Sequence, residues 1–184
     1  MEKKDLTSNY YELFQLPVSF VVDLNALSDR YRTLQSSIHP DKYANAGDFE
    51  RRLSVQQSAR INEAFQTLKN PLSRARYLLK LNGIDMDSDS DTSMDPIFLM
   101  QQMELRERLE AVQGSANPGE VLLEVNHDID EILEGIIREL KTIFAGTLAG
   151  TPVSDLQAAR DCVRRMQFMT RLQEEAEVLE ETLL

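Results

Sequence analysis

Between Gly119 and Ala145 the chain places Leu122, Val125, Ile129, Ile132, Leu133, Ile136, Leu140 and Ile143 three or four residues apart, save for the adjacent pair Ile132 and Leu133, with no proline among them. Residues at that spacing share one helix face, so the run reads as a single amphipathic helix of about seven turns. A stripe that long has to be covered by other helices. Two further helical patterns flank it, at about 97–113 and 154–182, separated from it by the breaker-rich stretches "QGSANPG" and "AGTLAGTP". Three amphipathic helices with short connections predict an antiparallel bundle. Elsewhere Val, Ile and Thr never alternate over a long stretch, while Leu, Glu, Arg, Gln and Ala dominate. The predicted fold class is all-α.

Residues 1–83 read as a separate helical module. "YYELFQL" forms a short helix ended by Pro17, and Asp23 is placed to cap a second helix running to about Ser37. Leu27, Tyr31, Leu34 and Ile38 lie on one face of that helix, after which His39-Pro40-Asp41 stops the pattern. Asp48 is placed to cap a third helix with Ile61, Ala64, Phe65 and Leu68 facing inward. "KNP" ends it, and "LSRARYLLKLNG" supplies a last short helix with Gly83 as terminator. Residues 84–96, "IDMDSDSDTSMDP", are acidic and aperiodic and read as a linker that also caps the next helix. Taken as a calcium loop starting at Asp85 or Asp87, the segment has Ser90 or Thr92 where the turn needs glycine. It also has Pro96 or Phe98 where a bidentate glutamate belongs. Residues 97–184 are then the bundle.

Charge divides along the same line. Residues 1–82 carry 12 Lys+Arg against 9 Asp+Glu, and residues 83–184 carry 8 against 22. This asymmetry predicts two modules facing different partners. No basic stripe is long enough to serve nucleic-acid binding. No apolar run approaches the roughly 20 residues of a membrane span, and "MEKKDLTSN" lacks the apolar core of a secretory signal. The single cysteine, Cys162, excludes an internal disulfide or a CxxC site and fits a reducing compartment. The expected home is a bacterial-type cytoplasm.

Catalysis is not expected. His39 and Asp41 have no candidate nucleophile beside them, and the other histidine, His127, belongs to the bundle beside Asp128, where it reads as a surface residue. Two distant histidines and one cysteine make no recognisable metal site, Cys162 reads as a buried inert thiol, and no cofactor is implied. His39-Pro40-Asp41 on its own is either an ordinary turn or a rigid apex presented to a partner. The helix at 97–113 holds a second candidate. With Leu105 at zero on a wheel of about 100° per residue, Phe98, Leu109 and Val112 fall within roughly 40° of it. Leu99, Met100 and Met103 fall at about 120–220°, with Arg106, Glu107 and Glu110. Three large apolar residues thus share the face that should be wet. They either contact the first module or a wider core, or they form a partner-binding patch.

The order of "YYELFQLP", "YRTLQSSIHPDKY" and "INEAFQTLKNPLSRARY" resembles the J-domain of the DnaJ co-chaperones over about 70 residues. That resemblance implies a hairpin of two long helices with His39-Pro40-Asp41 at its tip, docking on a DnaK-class chaperone ATPase and stimulating it. Arg30, Arg32 and Lys42 are the basic residues that would steer the docking, although "QSSI" replaces the basic-rich run usual before the tripeptide. For Arg30 a merely solvated charge is the alternative. Glycine/phenylalanine-rich and CxxCxGxG segments are absent from the sequence. Instead "NPLSRARYLLKLNGID", "FLMQQMELRERLE" and "VRRMQFMTRLQEEAEVLEE" resemble the HscB family, co-chaperones of iron–sulfur cluster assembly. Lack of the N-terminal cysteine pair common in eukaryotic relatives favours a bacterial type.

What the HscB resemblance implies is an adaptor. Leu99, Met100, Met103 and Phe168 match the hydrophobic patch that holds the cluster scaffold IscU, and Glu104 and Glu107 match accompanying polar positions. By periodicity Phe168 lies at the edge of its helix's apolar stripe, so surface and core both remain open. The expected partners are an HscA-type DnaK-class ATPase and an IscU-type scaffold. The rival expectations are a metal-handling protein and a general holdase.

Overall fold

Among the described residues of the computed structural model, 8–38, 47–86, 95–145 and 153–183, every regular element is a helix. His39, Pro40, Asp41 and Lys42, and residues 87–94 of the acidic segment, lie outside them. The chain divides into two compact units, residues 1–78 and 79–184.

The first unit opens with α1 (Tyr10–Leu13), started by a capping box. Glu12 N donates to Asn9 Oδ1 at 2.9 Å, and Asn9 N donates back to Glu12 Oε2 at 3.0 Å. The helix is shorter than the expected "YYELFQL". Gln15 takes φ 54°, in the left-handed region, and so breaks the helix before Pro17 is reached. Arg30 explains how that turn is held, because its guanidinium donates to the carbonyls of Phe14, at 2.6 Å, and Gln15. Arg30 comes from α2 (Leu24–Ile38), whose first turn is capped as expected. The Asp23 carboxylate accepts from Asn25 N and Ala26 N at 2.9 and 3.0 Å.

The third helix, α3 (Asp48–Lys69), starts one residue earlier than expected, with Gly47 as N-cap and Asp48 inside the first turn. There the Asp48 carboxylate pairs with Arg51 and still favours the positive end of the helix dipole. Helices α2 and α3 run antiparallel. Tyr31 stacks on Phe65 at 4.1 Å and donates to Asn62 at 2.9 Å, and Gln35 donates to the same Asn62 oxygen. Leu27, Ile38, Ile61, Ala64 and Leu68 are buried, with Tyr31, Leu34 and Phe65 half-buried beside them.

Asn70 ends α3 and caps α4 (Pro71–Leu81), accepting from Ser73 N at 2.9 Å, with Pro71 at the first helical position. Within the first unit, α4 holds the preceding segment in place. Tyr77 stacks on Tyr10 at 4.4 Å, and buried Arg74 lies 5.0 Å over the Phe20 ring while donating to Leu68 O at 2.7 Å. The helix closes on a Schellman motif: Ile84 N donates to Leu79 O at 2.9 Å and Gly83 N to Lys80 O at 3.0 Å, with Gly83 at φ 82°. A Cβ on Gly83 meets no atom within 4 Å, so the cost of Gly83→Ala is backbone strain alone. A loss of about 1 kcal/mol in chemical unfolding is expected.

The second unit is the expected antiparallel three-helix bundle. Helix α5 (Pro96–Ala111) starts at Asp95, whose carboxylate accepts from Ile97 N at 3.1 Å, and runs into a 3-10 turn, Val112–Gly114. Along α6 (Pro118–Ala145), Leu122, Val125, Ile129, Ile136, Leu140 and Phe144 are buried and Ile132, Leu133 and Ile143 half-buried. Phe144, which the sequence stripe omitted, extends the core by a turn. Opposite lies α7 (Val153–Leu183), contributing Ala159, Cys162, Val163, Met166, Met169, Leu172 and Ala176. Polar contacts along the seam, Gln173 to Asp130 at 2.9 Å and Arg165 to Glu139 at 2.5 Å, define the antiparallel register.

Candidate functional site

Helix α5 is two-faced. Phe98, Leu105, Leu109 and Val112 are buried, whereas Leu99, Met100 and Met103 are 36, 73 and 60% exposed. An exposed methionine is not core, so the account in which these side chains belong to a wider hydrophobic interior does not hold for Met100 and Met103. Glu104 and Glu107 are also exposed, each four residues beyond Met100 or Met103, and so border the patch on the same side of the helix. Ile97, 68% exposed, extends it beyond Met100. The sequence reading missed Ile97, although the same helical wheel carries it.

Phe168 of α7 is half-buried, and its surroundings account for the ambiguity of its sequence position. Its ring meets the edge of Phe98 at 6.4 Å with an interplanar angle of 88°, which anchors one side in the bundle. Arg106 lies 5.8 Å over the ring and is itself held by Glu175 at 3.0 Å. Leu99, Met103 and Arg106 are spaced i, i+4 and i+7 and form one ridge of α5. Because Arg106 reaches Phe168, that ridge runs beside the aromatic ring. Arg106 was not among the candidate residues. An i+7 step from Leu99 was the available signal, but its partner on α7 was not readable.

On the other flank of α5, a shallow groove of about 380 Å³ is lined by Gln101, Glu104, Leu105, Arg108, Asp128, Glu131 and Ile132. Arg108 spans it to Asp128 at 2.5 Å. Its charged walls contrast with the apolar ridge.

The candidate docking residues of the first unit are described only in part. Arg32 is exposed and pairs with Asp29 at 3.3 Å, an interaction worth little in water. Arg30 is bound to the Phe14 and Gln15 carbonyls rather than freely solvated. His39, Pro40, Asp41 and Lys42 lie outside the described residues. Elsewhere, His127 is exposed, 3.7 Å from Glu131. Cys162 is fully buried, and burial first, with the Glu139 charge adding, pushes its thiol up to about 12. Such a thiol stays protonated and unreactive at neutral pH. Among the described residues, no group of three or more His, Cys, Asp or Glu side chains is arranged to hold a metal ion.

Residues 94–177, which include α5, α6 and most of α7, match the family described as HSCB C-terminal oligomerisation domain. Over nearly its whole length the chain is similar to a co-chaperone protein HscB homolog of Shewanella pealeana, 46% identical over 176 residues, covering 96% of this chain and 99% of the relative. The chain belongs to the HscB co-chaperone family. Solved HscB structures agree at the level of fold. Chaperone HscB from Vibrio cholerae superposes with a TM-score of 0.83 at 41% identity, covering 96% of this chain and 100% of that one. The human co-chaperone HscB gives a TM-score of 0.85 at 28% identity, covering 98% and 86%. None of the helices among the described residues is long and apolar enough to cross a membrane.

Proposed function

We propose that this HscB-family chain is a cytoplasmic adaptor that brings an IscU-type iron–sulfur scaffold to an HscA-type DnaK-class chaperone and stimulates the chaperone's ATPase. It acts by binding and not as an enzyme. The observation that carries the reading is the exposed apolar patch of α5, Leu99, Met100 and Met103, flanked by Arg106, which reaches half-buried Phe168. Exposed apolar side chains clustered on one helix face lose water only by binding a partner, and methionine adapts its shape to do so. Glu104 and Glu107 at the border would set orientation more than affinity.

The second contact is assigned to the His39-Pro40-Asp41 segment with Arg32 and Lys42. Proline there lowers the entropy lost on docking, and Asp41 offers a charged acceptor to a cationic group of the chaperone. Arg30 has a smaller part in this reading, because its guanidinium already holds the turn after α1. Carrying both contacts on one chain raises the effective concentration of scaffold at the chaperone.

A steady-state ATPase assay with purified HscA-type chaperone tests this directly. Adding the chain should stimulate hydrolysis, and adding apo-scaffold should stimulate it further. Absence of any stimulation would remove the reading. Equal protection of several unrelated aggregating proteins would replace it with a general holdase.

A further inference from the structure

We propose that Met100 and Met103 form a peroxide-sensitive switch on the scaffold-binding surface. The inference rests on the reading of α5 given above and adds a mode of regulation to it.

Among the described residues, the exposure of the sulfur-bearing side chains is uneven. Met166 and Met169 are 4 and 0% exposed, Met86 is half-buried, and Cys162 is buried and held protonated. Met100 and Met103 stand out in water on the face that the partner must cover. Among the described residues, the most exposed sulfur-bearing side chains are therefore those whose apolar character the binding needs.

The chemistry is a two-electron oxygen transfer. A lone pair of the thioether sulfur attacks one peroxide oxygen, the O–O bond breaks and an S–O bond forms, and the departing hydroxide takes the proton from the new S–OH group and leaves as water. Sulfur is oxidised to the sulfoxide and hydrogen peroxide is reduced. The product is a strongly polar group that must give up its hydration when the patch is buried. Binding should fall while the bundle, whose core methionines are shielded, stays folded. A thiol-dependent sulfoxide reductase reverses the step.

The test treats the full chain with hydrogen peroxide, locates added oxygen by peptide mass analysis, and measures affinity for purified apo-scaffold by calorimetry. Oxidation should appear at Met100 and Met103 before Met166 and Met169, and affinity should fall by about tenfold or more. Reductase treatment should restore it, and the thermal melt should be unchanged throughout. Met100→Leu with Met103→Leu keeps the patch apolar but removes both thioethers, so the affinity this variant shows before treatment should be the affinity it keeps after peroxide. The switch is overturned if oxidation at both positions leaves binding unchanged, or if the leucine variant loses affinity as much as wild type does. An untreated Leu99→Ala, Met103→Ala variant that binds as tightly as wild type would instead remove the surface reading, and the switch with it. These two failures are distinct.

Discussion

Replacing Leu99 and Met103 together by alanine is expected to weaken scaffold binding by about 2 kcal/mol or more, roughly 30-fold, with little change in the thermal midpoint. Both effects follow from where the side chains sit. Leu99 and Met103 lie one turn apart on the outer face, 36 and 60% exposed, so truncation opens no enclosed cavity and its cost to the fold is small, arising mainly at Leu99. The neighbouring residue gives the opposite result. Phe98 is buried and carries the edge of Phe168, so Phe98→Ala should cost about 3–5 kcal/mol of stability. Calorimetry against apo-scaffold and a denaturant melt, run on both variants, separate the two cases. A large drop in stability for the Leu99, Met103 pair would mean that the ridge is core, and the proposed surface would be lost.

Two adjacent residues with opposite fates show what was legible in the sequence. Helical periodicity on α5 separates Phe98 from Leu99 because the backbone turns about 100° per residue, and burial follows that geometry. The long stripe of α6 was legible for the same reason, since Ile129 and its neighbours repeat over enough turns to define one direction. Chain ends of helices were less legible. Whether Gly47 or Asp48 caps α3, and whether α1 stops at Leu13, depend on single φ values and on a reach of 16 residues from Arg30 to the Phe14 carbonyl. No local pattern encodes such a contact. Phe168 fell in the same class: its half-burial is decided by Phe98, Arg106 and Glu175, two of them on another helix. Periodicity within one helix cannot report on residues that another helix supplies.

The largest functional loss is expected from Asp41→Asn, which should abolish stimulation of the chaperone ATPase and leave scaffold affinity within about twofold of wild type. Asparagine has nearly the shape of aspartate, so the substitution tests charge and acceptor strength with little steric disturbance. A hydrogen bond to an ionised acceptor is worth about 1.5–3 kcal/mol, so losing the charge costs about one to two powers of ten in affinity. Stimulation requires more than affinity, because the contact has to be made in the state of the chaperone that hydrolyses ATP. Weakened docking is therefore magnified in the rate. The result is diagnostic only when both readouts are taken on one preparation. Lost stimulation with intact scaffold binding assigns the two contacts to separate parts of the chain, since Asp41 falls within residues 1–78 and the α5 ridge within 79–184. Loss of both together would indicate misfolding, and retained stimulation would remove Asp41 from the docking contact and leave Arg32 and Lys42 as the cationic residues to test.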